Sequence, residues 1–420
     1  MSLFHHQYEA AAWLAANPRA YLADAMGMGK TRSLLAALAR LGDPKALVVC
    51  PAIVRGHWRR EAGDMRIRNA QVVSYDTIVS GGPPLMREYL GQGIQTLILD
   101  EAHYLRHSSA KRTQLLLGPN GYTQHIPRVW LASGTPVPRH PGELWPVLSR
   151  VFPEVVLKRG LTRRDQFVAH YCRTATRFFK GRVVEKVVGV QNVEDFKAIL
   201  GEIMLRRTAS AGLPPVWWQT LDVEGAVAGA LDARLQAVYQ AGGLEAILSH
   251  PEISTYRKHI GLAKVPALAE IVAEELNASS GRVVIFAHHL EVLDALEKRL
   301  RSFGVARIDG ATSQKERERR LDAFCYPSPI KPDYRVFLGQ QDACGTGLDG
   351  LQHVTNRLIL LEPHWVASQN EQYAARIART GQQAPTVFVQ QVTVAGTLDD
   401  GLMRQNERER GMQLTMGTNA

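Results

Sequence analysis

The stretch Asp24-Ala25-Met26-Gly27-Met28-Gly29-Lys30-Thr31 is a glycine-rich turn, and a helical pattern from Arg32 to Leu41 follows it. Glycine allows backbone amides to close around phosphate oxygens, and the N-terminus of the following helix adds a positive field. The strict phosphate-loop pattern, GxxxxGK[ST], has glycine where this chain has Asp24. Taken alone, the turn is therefore compatible with a nucleotide-binding loop or with an ordinary loop.

The phosphate-loop hypothesis assigns a role to each residue at the end of the turn. Lys30 is expected to reach the β- and γ-phosphates of ATP, and Thr31 is expected to hold Mg²⁺ through its hydroxyl. The backbone of the turn completes the predicted nucleotide-binding set, which is Gly27, Met28, Gly29, Lys30 and Thr31.

A second polar motif follows the apolar run Thr96–Leu99, where Asp100-Glu101-Ala102-His103 begins. A carboxylate at the end of a buried strand can hold Mg²⁺ through water, and its neighbour can orient and deprotonate an attacking water. We expect Asp100 to take the first role and Glu101 the second. His103 has no partner histidine at metal-ligand spacing, so it receives no metal role. The alternative for the acidic pair is a solvated strand end.

A third motif lies far downstream, in Gln372–Gln382. It contains Arg376 and Arg379, which at a spacing of three residues would share a helix face. Phosphoryl transfer gains from a cation that reaches the γ-phosphate, so both arginines are candidates for an arginine finger supplied by a second lobe. The alternative is a pair of solvated arginines on a surface helix.

Short apolar, β-rich runs recur along the chain, and polar or glycine-rich segments follow them. Continuous Val, Ile and Leu runs without alternation indicate strands buried on both faces of a parallel sheet. The segments between them show helical spacing, as in 291–303, so the predicted class is doubly wound α/β. The runs are Ala46–Cys50, Thr96–Leu99, Arg128–Ala132, Arg282–Ala287, Arg335–Leu338, Arg357–Leu361 and Thr386–Val389.

This strand and helix pattern occurs twice, and the basic segment between the two occurrences is predicted to be helical. We predict two tandem RecA-like lobes at 1–150 and 263–405, a helical protrusion and connector at 151–262, and a tail at 406–420. The pair Trp217-Trp218 in the middle segment is expected to pack rather than to form a binding platform. Ligands of open parallel sheets bind beyond the carboxyl ends of the strands, where most of the polar motifs lie.

The composition describes a folded, basic protein with a net charge of +10 and more arginine than lysine. A basic surface attracts polyanions, which favours nucleic-acid binding, although a basic surface that binds no nucleic acid is the alternative. The sequence has no run of about 18 apolar residues, no export signal and no cysteine pair at zinc spacing. We therefore expect no membrane partner, no zinc site and a reducing compartment.

In this order, the motifs closely resemble those of the Swi/Snf-related family of superfamily 2 helicase-like ATPases, whose acidic motif is of the DEAH type. The family also has aspartate at the position of Asp24, so the missing glycine favours membership. The resemblance implies that Gln7 binds adenine, and that Gly347 and Asp349 belong to the motif that couples the nucleotide to movement of lobe 2. It also implies contacts with the DNA backbone at Pro51, Trp58, Ser74, Tyr75, Arg317, Arg320 and Gly345.

Within that family, the middle segment looks like the annealing-helicase branch, whose members rewind or remodel branched DNA. The stretches that carry this likeness are Phe167–Cys172, Met204–Arg207 and Tyr256–Pro266. One departure concerns Asp349, because the family usually has asparagine there. That change puts the coupling of lobe 2 to DNA in doubt, but it removes no catalytic group.

Together, these motifs predict an ATP- and Mg²⁺-dependent motor that hydrolyses ATP while moving on duplex or branched DNA through sequence-independent backbone contacts. The alternatives are a strand-separating DNA or RNA helicase and, in a different class, a non-hydrolysing nucleic-acid clamp. Because the chain begins almost at Leu3–Gln7, which resembles the family's glutamine motif, we expect a bare motor that a recruiting protein brings to its DNA. We also expect a monomer. The expected location is the cytoplasm of a bacterium or a virus-infected cell, in association with the nucleoid.

Overall fold

The computed structural model describes residues 3–137, 139–179, 182–207, 213–225, 229–344, 348–379 and 381–416. The chain forms two compact units. Unit 1 consists of Met1–Ala175, Glu185–Ala211 and Glu409–Ala420, and unit 2 consists of Thr176–Val184 and Gly212–Arg408. Each unit contains its own six-stranded sheet.

The strands are β1 (Arg19–Leu22), β2 (Ala46–Cys50), β3 (Ala70–Ser74), β4 (Thr96–Asp100), β5 (Arg128–Ala132), β6 (Cys172–Phe179), β7 (Arg182–Val190), β8 (Met204–Leu205), β9 (Val216–Asp222), β10 (Val283–Ala287), β11 (Val305–Ile308), β12 (Val336–Gln340), β13 (Arg357–Leu360) and β14 (Val387–Thr393). The α-helices are α1 (His5–Ala16), α2 (Lys30–Arg40), α3 (Arg55–Asp64), α4 (Tyr75–Gly91), α5 (Lys111–Leu117), α6 (Trp145–Val151), α7 (Pro153–Leu157), α8 (Arg164–Tyr171), α9 (Val193–Ile203), α10 (Gly229–Leu248), α11 (Ile253–Ala278), α12 (Leu290–Leu300), α13 (Gln314–Cys325), α14 (Gln341–Cys344), α15 (Ala367–Ala374) and α16 (Leu398–Thr415).

The sheet of unit 1 has the strand order β3-β2-β4-β5-β1-β8, and its paired strands are parallel. Successive residues of its strands pack into different cores. Leu47 and Val49 lie in one cluster with residues of α4 and α5, whereas Val48 and Ile98 lie in another with residues of α1 and α2. Helices therefore bury both faces of the sheet, which explains why its strands lack polar alternation.

The sheet of unit 2 has the order β11-β12-β10-β13-β14-β9, again with parallel pairs. It is also buried on both faces, because Val284 and Phe286 pack into one cluster and Ile285 and Ala287 into the other. The predicted fold class, two tandem doubly wound parallel sheets, is confirmed.

Each of the seven predicted runs contains a strand, but the sequence did not reveal β1, β3 and β11. β3 and β11 are the outer strands of their sheets, and β1 has only four residues. An outer strand is covered less completely, and the residues of β11 alternate between half-buried and buried. These strands therefore lack the continuous apolar run by which a central strand is recognised.

The middle segment is not wholly helical, contrary to the prediction. β6 and β7 form a two-stranded sheet, β8 extends the sheet of unit 1 beside β1, and β9 extends the sheet of unit 2 beside β14. The prediction failed because β8 and β9 obtain their partners from distant parts of the chain. Trp218 of β9 packs against a core of unit 2, but Trp217 is 60% exposed, so the expected packing holds for only one of the pair.

The C-terminal segment continues the helix α16 through residues that were predicted to form a tail. The predicted lobe boundaries stay predictions. Within the described ranges, no helix has both the length and the apolar character needed to cross a bilayer.

Candidate active site

The glycine-rich turn joins the carboxyl end of β1 to the start of α2 in unit 1. Gly27 and Gly29 have φ angles of 80° and 77°, in the left-handed region that glycine adopts without strain. A Cβ on Gly29 would also lie 2.3 Å from Nε2 of Gln7. Glycine is therefore needed at position 29 both for the backbone conformation and for the close approach of Gln7.

Lys30 begins α2, and its ammonium group lies against the turn itself. Nζ donates hydrogen bonds to the carbonyl oxygens of Asp24 at 2.9 Å and Ala25 at 3.2 Å. Burial lowers the pKa of Lys30, while the negative charges of Glu101, Asp100 and Asp24 oppose that shift. The cation is thus held where a phosphate can replace the two carbonyl groups as its partner.

The N-terminal helix α1 contacts the same turn. Nε2 of Gln7 donates a hydrogen bond to the carbonyl oxygen of Met28 at 3.2 Å, and Nε2 of His6 lies 2.9 Å from that oxygen. Oε1 of Gln7 accepts a hydrogen bond from the Phe4 N–H at 3.1 Å. The buried amide of Gln7 therefore joins α1 to the turn, and its contact with adenine stays a prediction.

Asp100 ends β4 and is fixed by three hydrogen bonds. Its Oδ2 accepts from Nε1 of Trp58 at 2.7 Å, its Oδ1 accepts from the Glu101 N–H at 3.0 Å, and its carbonyl oxygen accepts from the Tyr75 hydroxyl at 2.8 Å. Burial and then repulsion from Glu101 raise the pKa of Asp100 to about 6, although the Trp58 hydrogen bond and the charge of Lys30 act in the opposite direction. The carboxylate is therefore oriented by the protein before any ligand binds.

Glu101 leaves the strand with a φ of 51°, a left-handed conformation that is uncommon for a residue with a side chain. Its Oε2 lies 3.2 Å from Nδ1 of His103 and 3.5 Å from Oγ of Ser133. Nδ1 of His103 and Oγ of Ser133 are themselves 3.0 Å apart. Sequence reasoning gave His103 no role, but its buried ring is a direct neighbour of the predicted base. Ser133 arrives from the end of β5, the strand beside β4.

In unit 2, Arg376 and Arg379 follow α15, which ends at Ala374. The prediction that they share a helix face is wrong, because the chain leaves the helix through turns before it reaches either residue. Nη1 of Arg379 donates a hydrogen bond to the carbonyl oxygen of Leu348 at 3.1 Å and lies 3.5 Å from Oδ1 of Asp349. Arg379 thus contacts the segment that was predicted to couple the nucleotide to movement of lobe 2.

Two family models match consecutive parts of this chain. The SNF2-related domain matches residues 64–216, and the helicase conserved C-terminal domain matches residues 263–381. The chain belongs to the SNF2-related ATPases of helicase superfamily 2. The predicted family resemblance is confirmed, and ATP is therefore the nucleotide that this SNF2-related ATPase uses.

This SNF2-related ATPase has distant relatives in animals. The human DNA annealing helicase and endonuclease ZRANB3 is 26% identical over 96% of this chain and 39% of the human protein. The SWI/SNF-related matrix-associated actin-dependent regulator of chromatin subfamily A-like protein 1 homolog of Caenorhabditis elegans is 27% identical over 95% of this chain and 59% of that protein. The chain thus spans less than two thirds of either relative.

A solved structure, the Sulfolobus solfataricus SWI2/SNF2 ATPase core in complex with dsDNA, covers 100% of this SNF2-related ATPase and 94% of its own chain, at 18% identity and a TM-score of 0.42.

The residues of unit 1 suit a magnesium–ATP complex. Mg²⁺ binds carboxylate and hydroxyl oxygens and keeps several waters, so it needs few protein ligands. Thr31 at the start of α2 supplies a hydroxyl, and Asp100 supplies a carboxylate whose orientation Trp58 fixes. The Trp58 hydrogen bond and the charge of Lys30 lower the pKa of Asp100 and so favour its ionised form. Thr31 and Asp100 stay the predicted Mg²⁺ residues.

The predicted DNA contacts of unit 2 stay predictions. Nη1 of Arg317 donates a hydrogen bond to the carbonyl oxygen of Ala343 at 3.0 Å, and Nε of Arg320 donates to Oε1 of Glu316 at 2.6 Å, so these two guanidinium groups already have partners within the unit. Gly345, and Gly347 from the predicted nucleotide-coupling motif, lie outside the described residues.

Four other residues predicted to contact DNA lie in the interior of unit 1. Trp58 is 0% exposed, and Pro51, Ser74 and Tyr75 are also buried. Trp58 and Tyr75 direct their polar atoms at Asp100, and the predicted contacts of these four positions with the DNA backbone stay predictions. No sequence spacing connects Trp58 with Asp100, since β2, which precedes Trp58, and β4, which ends at Asp100, become neighbours only in the folded sheet.

Replacing Trp58 with phenylalanine is expected to reduce kcat/KM of this SNF2-related ATPase by about tenfold, because a hydrogen bond to a charged group is worth roughly 1.5–3 kcal/mol. The hydrogen bond lowers the pKa of Asp100. Its loss should therefore raise that pKa and move the acid side of the pH–rate profile to higher pH. Turnover measured across Mg²⁺ concentration and pH tests this expectation.

Trp130→Phe is the matched control for Trp58→Phe. Trp130 is also fully buried in unit 1, and its Nε1 donates a hydrogen bond to the carbonyl oxygen of Asn17 at 3.0 Å, away from Asp100. This variant should lose stability but keep the wild-type pH profile. If the two variants shift the profile equally, Trp58 has no specific effect on Asp100.

Proposed function

We propose that this SNF2-related ATPase uses ATP hydrolysis to move along duplex or branched DNA, and that it holds the backbone without reading the sequence. The observation that carries the proposal is the meeting of Lys30, Asp100 and Glu101 at one edge of the unit 1 sheet, in a chain that also has a helicase C-terminal domain. Relatives named as a DNA annealing helicase and as a DNA repair and recombination protein support DNA as the polymer. The net charge of +10 favours a polyanion.

In turnover, the residues of unit 1 bind the phosphates and direct the attacking water. Lys30 exchanges its two backbone carbonyl partners for phosphate oxygens. Glu101 accepts the proton of the water, and His103 and Ser133 hold its carboxylate in one direction. A bound Mg²⁺, held by Thr31 and Asp100, would neutralise phosphate charge.

Arg379 is proposed to complete catalysis from unit 2 as an arginine finger, as the family motif implies. Arg379→Ala is expected to lower kcat on the order of 10³-fold, because a finger stabilises charge that develops in the transition state, while KM for ATP changes only a few-fold. Steady-state ATPase kinetics measure both constants.

One control variant and one alternative outcome interpret that result. Arg404→Ala removes an exposed arginine that pairs with Asp400 on α16, and it should leave both constants unchanged. If Arg379→Ala instead raises KM and leaves kcat intact, Arg376 becomes the better candidate for the finger.

The proposal is tested by ATP turnover with duplex DNA, branched DNA, single-stranded DNA, RNA and no nucleic acid, all at one salt concentration. We expect duplex or branched DNA to stimulate turnover independently of sequence, and we expect stimulation to fall steeply as salt rises. Stimulation by RNA alone contradicts the proposal. Absence of stimulation by any polymer favours the non-hydrolysing clamp.

A second assay distinguishes movement along duplex DNA from separation of its strands. A motor on duplex DNA should displace a third strand from a triplex while the underlying duplex stays paired. Unwinding of a forked duplex in the same buffer would instead support the strand-separating helicase.

A further inference from the structure

Asp24, which stands at the position of the first phosphate-loop glycine, pairs with Arg207. Nε and Nη2 of Arg207 donate hydrogen bonds to the two carboxylate oxygens of Asp24 at 2.9 and 2.6 Å. Asp24 is 0% exposed, so its charge depends on this partner. Two parallel hydrogen bonds from a planar guanidinium fix the direction of the carboxylate as well as compensating its charge.

Arg207 also joins the turn to the N-terminal helix. Its Nη1 donates hydrogen bonds to the carbonyl oxygen of His6 at 2.6 Å and to Oε2 of Glu9 at 3.2 Å, both in α1. Its own carbonyl oxygen accepts a hydrogen bond from the Ala25 N–H at 2.9 Å. One residue of the connector therefore contacts the turn and the helix that carries Gln7.

Asp24 links this arginine to the nucleotide site. Its side chain binds Arg207, while its carbonyl oxygen accepts the hydrogen bond from Nζ of Lys30 at 2.9 Å. The sheet sets this arrangement, since β8 pairs with β1 in a register that places Leu205 opposite Leu22. Asp24 is not among the residues with positive φ, so its backbone has no need of glycine.

We propose that Arg207 is a positioning residue for ATP hydrolysis, which acts through Asp24 to keep the phosphate loop and Lys30 in the geometry that accepts ATP. A loop that must be ordered again by its ligand binds that ligand more weakly than a preorganised one. Arg207 follows β8 in the middle segment 151–262, so the nucleotide site depends on a residue far from the turn in sequence. This inference rests on the proposed ATP site.

The most informative variant is Asp24→Gly, which restores the strict phosphate-loop pattern. If that pattern alone determined ATP binding, the variant would bind ATP at least as well as the wild-type protein. We expect instead a KM for ATP about tenfold higher and a kcat within about threefold of the wild-type value, because the hydrogen bonds between Arg207 and the side chain at position 24 are lost. Arg207→Gln should behave in the same way, and Arg207→Lys, which keeps the charge, should recover part of the loss.

A double variant and a control separate this pair from general effects. Asp24→Asn combined with Arg207→Gln should raise KM no more than Arg207→Gln alone, because the two residues act as one unit. Glu9→Gln changes a residue that contacts Arg207 without touching Asp24, and it should keep the wild-type KM. Thermal unfolding reports whether each variant folds. If Arg207→Gln does not fold, Asp24→Gly and the double variant carry the comparison.

Three results overturn the positioning role: a wild-type KM in folded Asp24→Gly, losses that add in the double variant, or a fall in kcat at unchanged KM. A fall in kcat at unchanged KM is the result expected if Arg207 only stabilises the fold, because a smaller fraction of the protein molecules would then be active. Lys30→Ala in the same assay tests the ATP site by itself. If that variant still turns over ATP, the site assignment fails. If it is inactive while the Asp24 and Arg207 variants match the wild type, only the positioning role fails.

Discussion

Lys30→Ala is expected to abolish measurable ATP turnover, with a loss of at least about 10²–10³-fold in kcat/KM. Lys30 is the cation that lies among Asp24, Asp100 and Glu101, and its proposed role is to attract the phosphates that these carboxylates would repel. Without it, both substrate binding and charge stabilisation are lost. Steady-state ATPase assays with and without duplex DNA measure the effect.

Lys45→Ala is the matched control for that loss. Lys45 is also a lysine of unit 1, just before β2, but its Nζ donates a hydrogen bond to the carbonyl oxygen of Gln92 at an exposed position. Its turnover should equal that of the wild-type protein. Substantial turnover in folded Lys30→Ala would show that this turn is not the phosphate-binding site.

Glu101→Gln is expected to lower kcat by about 10²–10⁴-fold while ATP binding stays intact. Glutamine keeps the size of the side chain and a hydrogen-bond acceptor for His103 and Ser133, but it cannot take a proton from water. The variant should therefore accumulate the ATP-bound state. Direct titration of ATP binding, paired with single-turnover hydrolysis, separates the two effects.

Glu88→Gln provides the control for removing a carboxylate. Glu88 is exposed on α4. Among the described residues, its carboxylate accepts a hydrogen bond only from the side chain of Gln92. It should leave turnover unchanged. Wild-type hydrolysis in Glu101→Gln would refute the role of Glu101 as the base, and loss of ATP affinity would indicate that its charge acts on binding instead.

Short stretches of sequence were sufficient for the central features of the fold. The turn 24–31 and the acidic pair at 100–101 each lie within a few consecutive residues, so their chemistry is visible without a structure. The central strands are visible for a similar reason, because burial on both faces requires every residue of the run to be apolar. The sequence did not reveal β3 and β11, because an outer strand does not need a continuous run of apolar residues.

The contacts of Trp58 and Tyr75 with Asp100, and the end of the helix before the arginine pair, were not visible in the sequence. The surroundings of Trp58 and Tyr75 depend on β4, which is distant from both in sequence. α3 packs Trp58 against the end of β4. Arg376 and Arg379 fit a helical spacing, but the helix ends at Ala374.

The sequence by itself determined the two doubly wound sheets, the phosphate loop, the acidic pair and the family. Only the tertiary structure decided what fixes these groups. Trp58 and Asp100 are 42 residues apart, His103 and Ser133 are 30 apart, and Asp24 and Arg207 are 183 apart. In a parallel sheet, neighbouring strands come from separated parts of the chain, so the partners of each catalytic group follow from strand order and not from spacing. Asp24 is an example of both: the sequence shows its position in the turn, and only the fold shows that its partner is Arg207.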